Sequence, residues 1–119
     1  MIREGKIFAI DFDGTLYLGP QDNFPFVDET CLNFDLIKQI KHRQKANPQD
    51  KFILWTCREE AELQCALDSL KFSGIQWAAV NENISEIKLR YGDCRKIIAD
   101  YYIDDRALHY SHSIDLDKL

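Results

Sequence analysis

Four apolar residues, Ile7-Phe8-Ala9-Ile10, run directly into Asp11-Phe12-Asp13-Gly14-Thr15-Leu16, and this junction constrains the fold more than any other part of the chain. An unbroken apolar run suits a strand buried on both faces, so a central strand of a parallel sheet is expected over about residues 6 to 11. Alternate side chains of an extended segment share a face, which points Asp11 and Asp13 the same way while Phe12 turns inward. Gly14 then lets the chain turn away sharply. Two carboxylates held together at a strand end demand a cation.

The rest of the pattern alternates strands with helices. Residues 17 to 27, with Gly19, Pro20 and Pro25, read as a loop or flap. A helix is expected to start at residues 28 to 30 and to end at Asn47-Pro48. Its buried stripe is Leu32, Leu36, Ile37 and Ile40, and its wet face carries Lys38, Lys41, His42 and Arg43. Phe52-Ile53-Leu54-Trp55 suits a second buried strand, and Glu59-Glu60-Ala61-Glu62 opens a helix that buries Leu63, Ala66, Leu67 and Leu70. Gly74 closes that helix, residues 75 to 80 read as a third strand, and a short helix starts near residues 84 to 88. The last strand occupies either residues 97 to 99 or residues 101 to 103, and residues 107 to 119 carry no assignable pattern. Trp55 and Trp77 fit core positions, whereas Tyr17, Phe24 and Phe26 form an aromatic cluster on the flap. The expected fold is a three-layer, Rossmann-like α/β domain: a parallel sheet flanked by helices, joined by right-handed crossovers, with ligands at the carboxyl ends of the strands.

Length and charge narrow the options. The 119 residues, 45% of them hydrophobic, make one packed domain over 1–119. Twenty acidic against fifteen basic residues give a net charge of −5, which disfavours nucleic acid and penalises small phosphorylated metabolites less. No apolar segment approaches the roughly 20 residues of a membrane span, so a cytoplasmic protein with no membrane partner is expected. Cys31, Cys57, Cys65 and Cys94 lack paired spacing, sit inside expected elements and read as reduced thiols. A cysteine phosphatase needs an arginine six positions after its thiol, and those positions hold Ile37, Leu63, Lys71 and Asp100.

The hexapeptide from Asp11 to Leu16 is similar to motif I of the haloacid dehalogenase (HAD) superfamily. Further matches follow in order: Leu54-Trp55-Thr56 resembles motif II, Lys96 the motif III lysine, and Tyr102-Ile103-Asp104-Asp105 the acidic motif IV. The resemblance implies a magnesium-dependent phosphatase working through an aspartyl phosphate, with Asp11 as nucleophile and Asp13 as general acid and base. Hard oxygen ligands suit magnesium: Asp11, Asp104 and the backbone carbonyl of Asp13, with Asp105 acting directly or through water. Thr56, at a strand end before a helix, and Lys96 would hold the phosphoryl oxygens, with Lys88 the alternative lysine. Arg58 is a further phosphate clamp candidate, since a guanidinium makes two parallel hydrogen bonds, and is equally readable as a helix-paired arginine. His109 and His112 read as exposed tail residues, Cys57 as incidental to the site, and Asn81-Glu82-Asn83 as turn chemistry with a helix cap.

Many HAD phosphatases insert a cap domain after motif I or between motifs II and III. This chain has no room for one, so the resemblance implies a capless member whose site is open or is covered by a neighbouring subunit of a homo-oligomer. Two alternatives stay open: a receiver-like signalling domain, which would place its acidic pair at the first strand rather than the last, and a catalytically idle HAD-like binding module.

Overall fold

A computed structural model describes residues 5–104 and 115–119. Four strands, β1 (Ile7–Ile10), β2 (Lys51–Leu54), β3 (Ala79–Val80) and β4 (Tyr101–Ile103), form one all-parallel sheet in the order β3-β2-β1-β4. Ile10 is in register with Leu54 on one side and Ile103 on the other. The apolar run that opens the chain therefore occupies the interior of the sheet, as its two-sided hydrophobicity requires.

Strand alternation divides the core in two. Phe8, Ile10, Phe52 and Leu54 pack with Leu36, Ile37 and Ile40 of α1 (Phe34–Ala46) and with Ala66 and Leu70 of α2 (Glu60–Leu70). On the other face Ile7, Ala9 and Ile53 meet Ile84, Ile97 and Ile87, the last from α3 (Ser85–Tyr91). The first face is the richer, with Phe8 stacked between Phe52 at 4.8 Å and Tyr101 at 5.4 Å. Full burial of each such side chain contributes about 1.5–3 kcal/mol. Helices α1 and α2 carry the chain from β1 outward to β3 over one face, and α3 brings it back over the other to β4. Neighbouring strands β1 and β4 thus bound the crevice where the winding reverses, the place where open α/β sheets bind ligands.

Several local expectations need correction. Asp28 caps only a single turn of 3₁₀ helix (Glu29–Cys31), and α1 starts later, where the Asn33 side chain accepts the Leu36 amide hydrogen. The third strand shrinks to two residues, because Ile75 and Trp77 pack on the core as irregular chain. Of the two options for the last strand, Tyr101–Ile103 is the one that pairs. Trp55 is not a core residue: it is 36% exposed with its ring against Tyr102 at 5.4 Å. Arg43 is not on the wet face of α1. It lies over the Phe8 ring and donates to the fully buried Asp50 carboxylate at 2.6 Å. Cys57 and Cys94 lie in loops rather than in elements, and all four thiols are free. In the tail, Leu116 is buried beneath α1, held by an N–H bond to Gln39 at 2.8 Å. Among the described residues no helix is long and apolar enough to cross a membrane.

Candidate active site

The strand register assembles the site. One residue beyond the Ile10–Ile103 pair, Asp11 donates its amide hydrogen to the Ile103 carbonyl at 2.9 Å, so Asp11 and Asp104 leave adjacent strands side by side. The turn after Asp11 is tight. Gly14 adopts φ 85° and donates to Tyr17 O, while the Phe12 carbonyl accepts from both Thr15 and Tyr17. That positive φ is the reason glycine stands there. Asp11, Asp13, Gly14, Thr56, Cys57 and Asp104 line one open cleft of about 780 Å³, and Tyr17, Leu18, Gly19 and Gln21 complete its wall from the flap.

Asp13 is held through both of its carboxylate oxygens. Arg58 donates Nε to one of its oxygens at 2.8 Å and Nη2 to the other at 2.9 Å, and Gln21 Nε2 donates at 3.0 Å. The Arg58 guanidinium also donates Nη1 to the carbonyls of Pro25 and Glu62, and lies between the rings of Phe12 and Phe24. The structure thus places Arg58 behind Asp13, 2% exposed, and not in the cleft wall. Register carries the signal for this pairing, since Trp55 donates to the Ile10 carbonyl and the chain beyond Asp11 therefore runs beside the chain beyond Trp55.

Thr56 lies in the cleft, four residues ahead of α2. Its hydroxyl accepts the Arg58 amide hydrogen at 3.1 Å and retains its own proton for donation. Its amide is already committed to the Asn81 side chain at 2.7 Å. Asn81 keeps the expected turn role, in a left-handed backbone at φ 56°, and its side chain adds this bond, whereas the expected helix cap does not form. Asn83 does not cap α3, whose N-cap is Ile84. It is buried, with Nδ2 donating to Lys96 O at 2.9 Å and Oδ1 accepting from Ile98 N at 2.7 Å. This clamps the loop that bears Lys96. Lys96 itself is exposed, Lys88 is ion-paired with Glu82, and neither is among the residues lining the cleft. The Glu82 carboxylate raises the Lys88 pKa above its ordinary value, chiefly through their hydrogen bond. Asp105, His109 and His112 lie outside the described residues. The flap aromatics separate: Tyr17 is buried and donates its hydroxyl hydrogen to Pro20 O, while Phe24 and Phe26 are exposed.

Among the described residues no three His, Cys, Asp or Glu side chains form a metal cage. Magnesium keeps several waters and takes only one or two carboxylates, so Asp11, Asp104 and the Asp13 main-chain carbonyl fit it, with the Asp13 side chain held by Arg58 and Gln21.

No family model matches the sequence, and no curated protein matches it. Among solved structures the chain is similar to a conserved protein coded by a locus from Bacteroides thetaiotaomicron, with a TM-score of 0.69 and 28% identity over 88% of this chain and 79% of that one. That similarity supports the α/β class.

Proposed function

We propose that this chain is a magnesium-dependent phosphomonoester hydrolase of the HAD superfamily, in its capless form. The observation that carries the reading is the convergence of Asp11, Asp13, Asp104 and Thr56 on one cleft at the β1–β4 switch point. In this reading an Asp11 oxygen attacks phosphorus in line, and the bond from phosphorus to the leaving oxygen breaks as Asp13 gives that oxygen its proton. Asp13 then takes a proton from the water that attacks the aspartyl phosphate, releasing inorganic phosphate and restoring both carboxyl groups. Thr56 donates its hydroxyl hydrogen to a phosphoryl oxygen, and Lys96, which stands outside the cleft wall, would offset the charge on the equatorial oxygens by reaching in from the loop that Asn83 clamps. A bound magnesium ion would supply the remaining charge neutralisation between Asp11 and Asp104. A net charge of −5 favours a small phosphomonoester over a polyanion.

The receiver-like alternative is disfavoured by strand order. Receivers flank their first strand with the second and third, whereas β1 here lies between β2 and β4. The test is hydrolysis of p-nitrophenyl phosphate by the purified protein with magnesium, with chelator, and with Asp11→Asn. Magnesium-dependent turnover that disappears in the variant is the expected result, and turnover retained by a folded Asp11→Asn protein would overturn the nucleophile assignment.

A further inference from the structure

We infer that Arg58 is a positioning residue that works through Asp13, and that it latches the flap of residues 19–26 against the cleft, so that this chain supplies its own partial lid. The positioning half rests on the phosphatase reading; the latch does not. Four of the five guanidinium N–H groups are committed. Two go to the Asp13 carboxylate and two to main-chain carbonyls, Pro25 on the flap and Glu62 on α2. The guanidinium is further packed by Phe12 at 5.0 Å and by the flap residue Phe24 at 4.7 Å. A side chain so surrounded has no fork left to offer a phosphate.

The same geometry makes Asp13 a shared hinge pin. Gln21, on the flap, donates to the Asp13 oxygen that also accepts from Nη2. The flap is therefore tied to the acid twice, directly through Gln21 and indirectly through Pro25, Phe24 and Arg58. Flap closure and the aim of the proton donor are set by one network, and a displaced flap takes the aim of Asp13 with it.

Leaving-group chemistry separates this role from a phosphate clamp. p-Nitrophenolate departs without protonation, whereas an alkoxide needs the Asp13 proton. For Arg58→Lys, which keeps the charge but loses the fork, kcat on glycerol 2-phosphate is expected to fall roughly 100-fold. The first-turnover burst of p-nitrophenol should change less than about 3-fold, with KM for both esters little altered. Gln21→Ala, at an exposed position, removes only the direct tie. Both variants should speed chymotryptic cleavage after Phe26, the exposed flap aromatic not followed by proline, by roughly tenfold for Arg58→Lys. A raised KM on both esters with weaker inhibition by inorganic phosphate would show a substrate clamp and overturn the inference. Equal losses on both esters together with a lowered melting temperature would show a purely structural role and also overturn it. Unchanged cleavage in both variants overturns the latch. A wild-type protein that turns over neither ester defeats the phosphatase reading and the positioning role with it, and leaves the cleavage rates to decide the latch.

Discussion

Asn81 and Thr56 stand 25 residues apart in sequence, yet the Asn81 side-chain carbonyl accepts the Thr56 amide hydrogen at 2.7 Å and ties the end of β3 to the loop after β2. Asn81 holds a left-handed backbone, φ 56°, which asparagine tolerates better than most residues. Two demands, one on the backbone and one on the side chain, select the same residue. Asn81→Gly should retain the backbone and lose the bond, at about 1 kcal/mol, and Asn81→Ala should add left-handed strain for a total of about 2 kcal/mol. Urea unfolding of the two variants measures the difference, and equal destabilisation would remove the backbone argument.

Asp50 is expected to be the costliest polar position outside the cleft. Its fully buried carboxylate accepts from Arg43 at 2.6 Å and from the Lys6 amide at 2.8 Å. Asp50→Ala leaves a nearly buried guanidinium without its counter-charge and should destabilise by about 3–5 kcal/mol. The double variant Asp50→Ala, Arg43→Met should recover part of that loss in the same urea assay, and no recovery would mean that the Lys6 amide is the partner that matters.

Asp28 gives a pH test. The Thr30 hydroxyl, and after it the Thr30 amide, hold the Asp28 carboxyl below its ordinary 3.8. Because the folded value lies below the unfolded one, this group favours the fold above pH 3.8 and loses that contribution as pH falls through the folded value. Thr30→Val deletes the larger cause, so the carboxyl-carbon NMR midpoint of Asp28 should move up toward 3.8. A midpoint that stays in place would assign the shift to the amide alone.

The two lysines are separable by kinetics. Lys88 is held by Glu82 at the surface, a pair contributing little to stability, so Lys88→Ala should leave kcat within about 3-fold. Lys96 sits on the loop that Asn83 clamps, and Lys96→Ala should cost about 100-fold or more if it neutralises the transferring phosphoryl group. The reverse ranking would transfer the role to Lys88.

Much of this architecture was readable from local signals. The run from Ile7 to Ile10 announces a strand covered on both faces, and the strand register then brings Asp11 beside Asp104. The signals that misled were those whose meaning depends on distant neighbours. Trp55 has the composition of a core residue, yet it emerges half-exposed at a strand end with its ring against Tyr102. Arg43 falls on a polar stripe of α1, but Asp50 and Phe8 draw it inward. Ile75 and Trp77 belong to an apolar stretch that packs on the core without pairing, so only Ala79 and Val80 reach the sheet. The role of Arg58 is a question of direction, and nothing near residue 58 in sequence shows that its fork turns toward Asp13.

The placement of β1 at the interior of the sheet separates two kinds of motion. Asp11 leaves a strand paired on both sides and covered on both faces, and its amide is bonded to the Ile103 carbonyl, so that amide opens only when the sheet opens. The flap is held to the cleft by side-chain bonds through Asp13 and Arg58, so it opens when those bonds break while the sheet stays closed. In amide hydrogen exchange Asp11 should therefore report global stability while residues 19–26 report a faster, local equilibrium. Changes to the flap can then retune access to the cleft without disturbing the strand that carries the carboxylates.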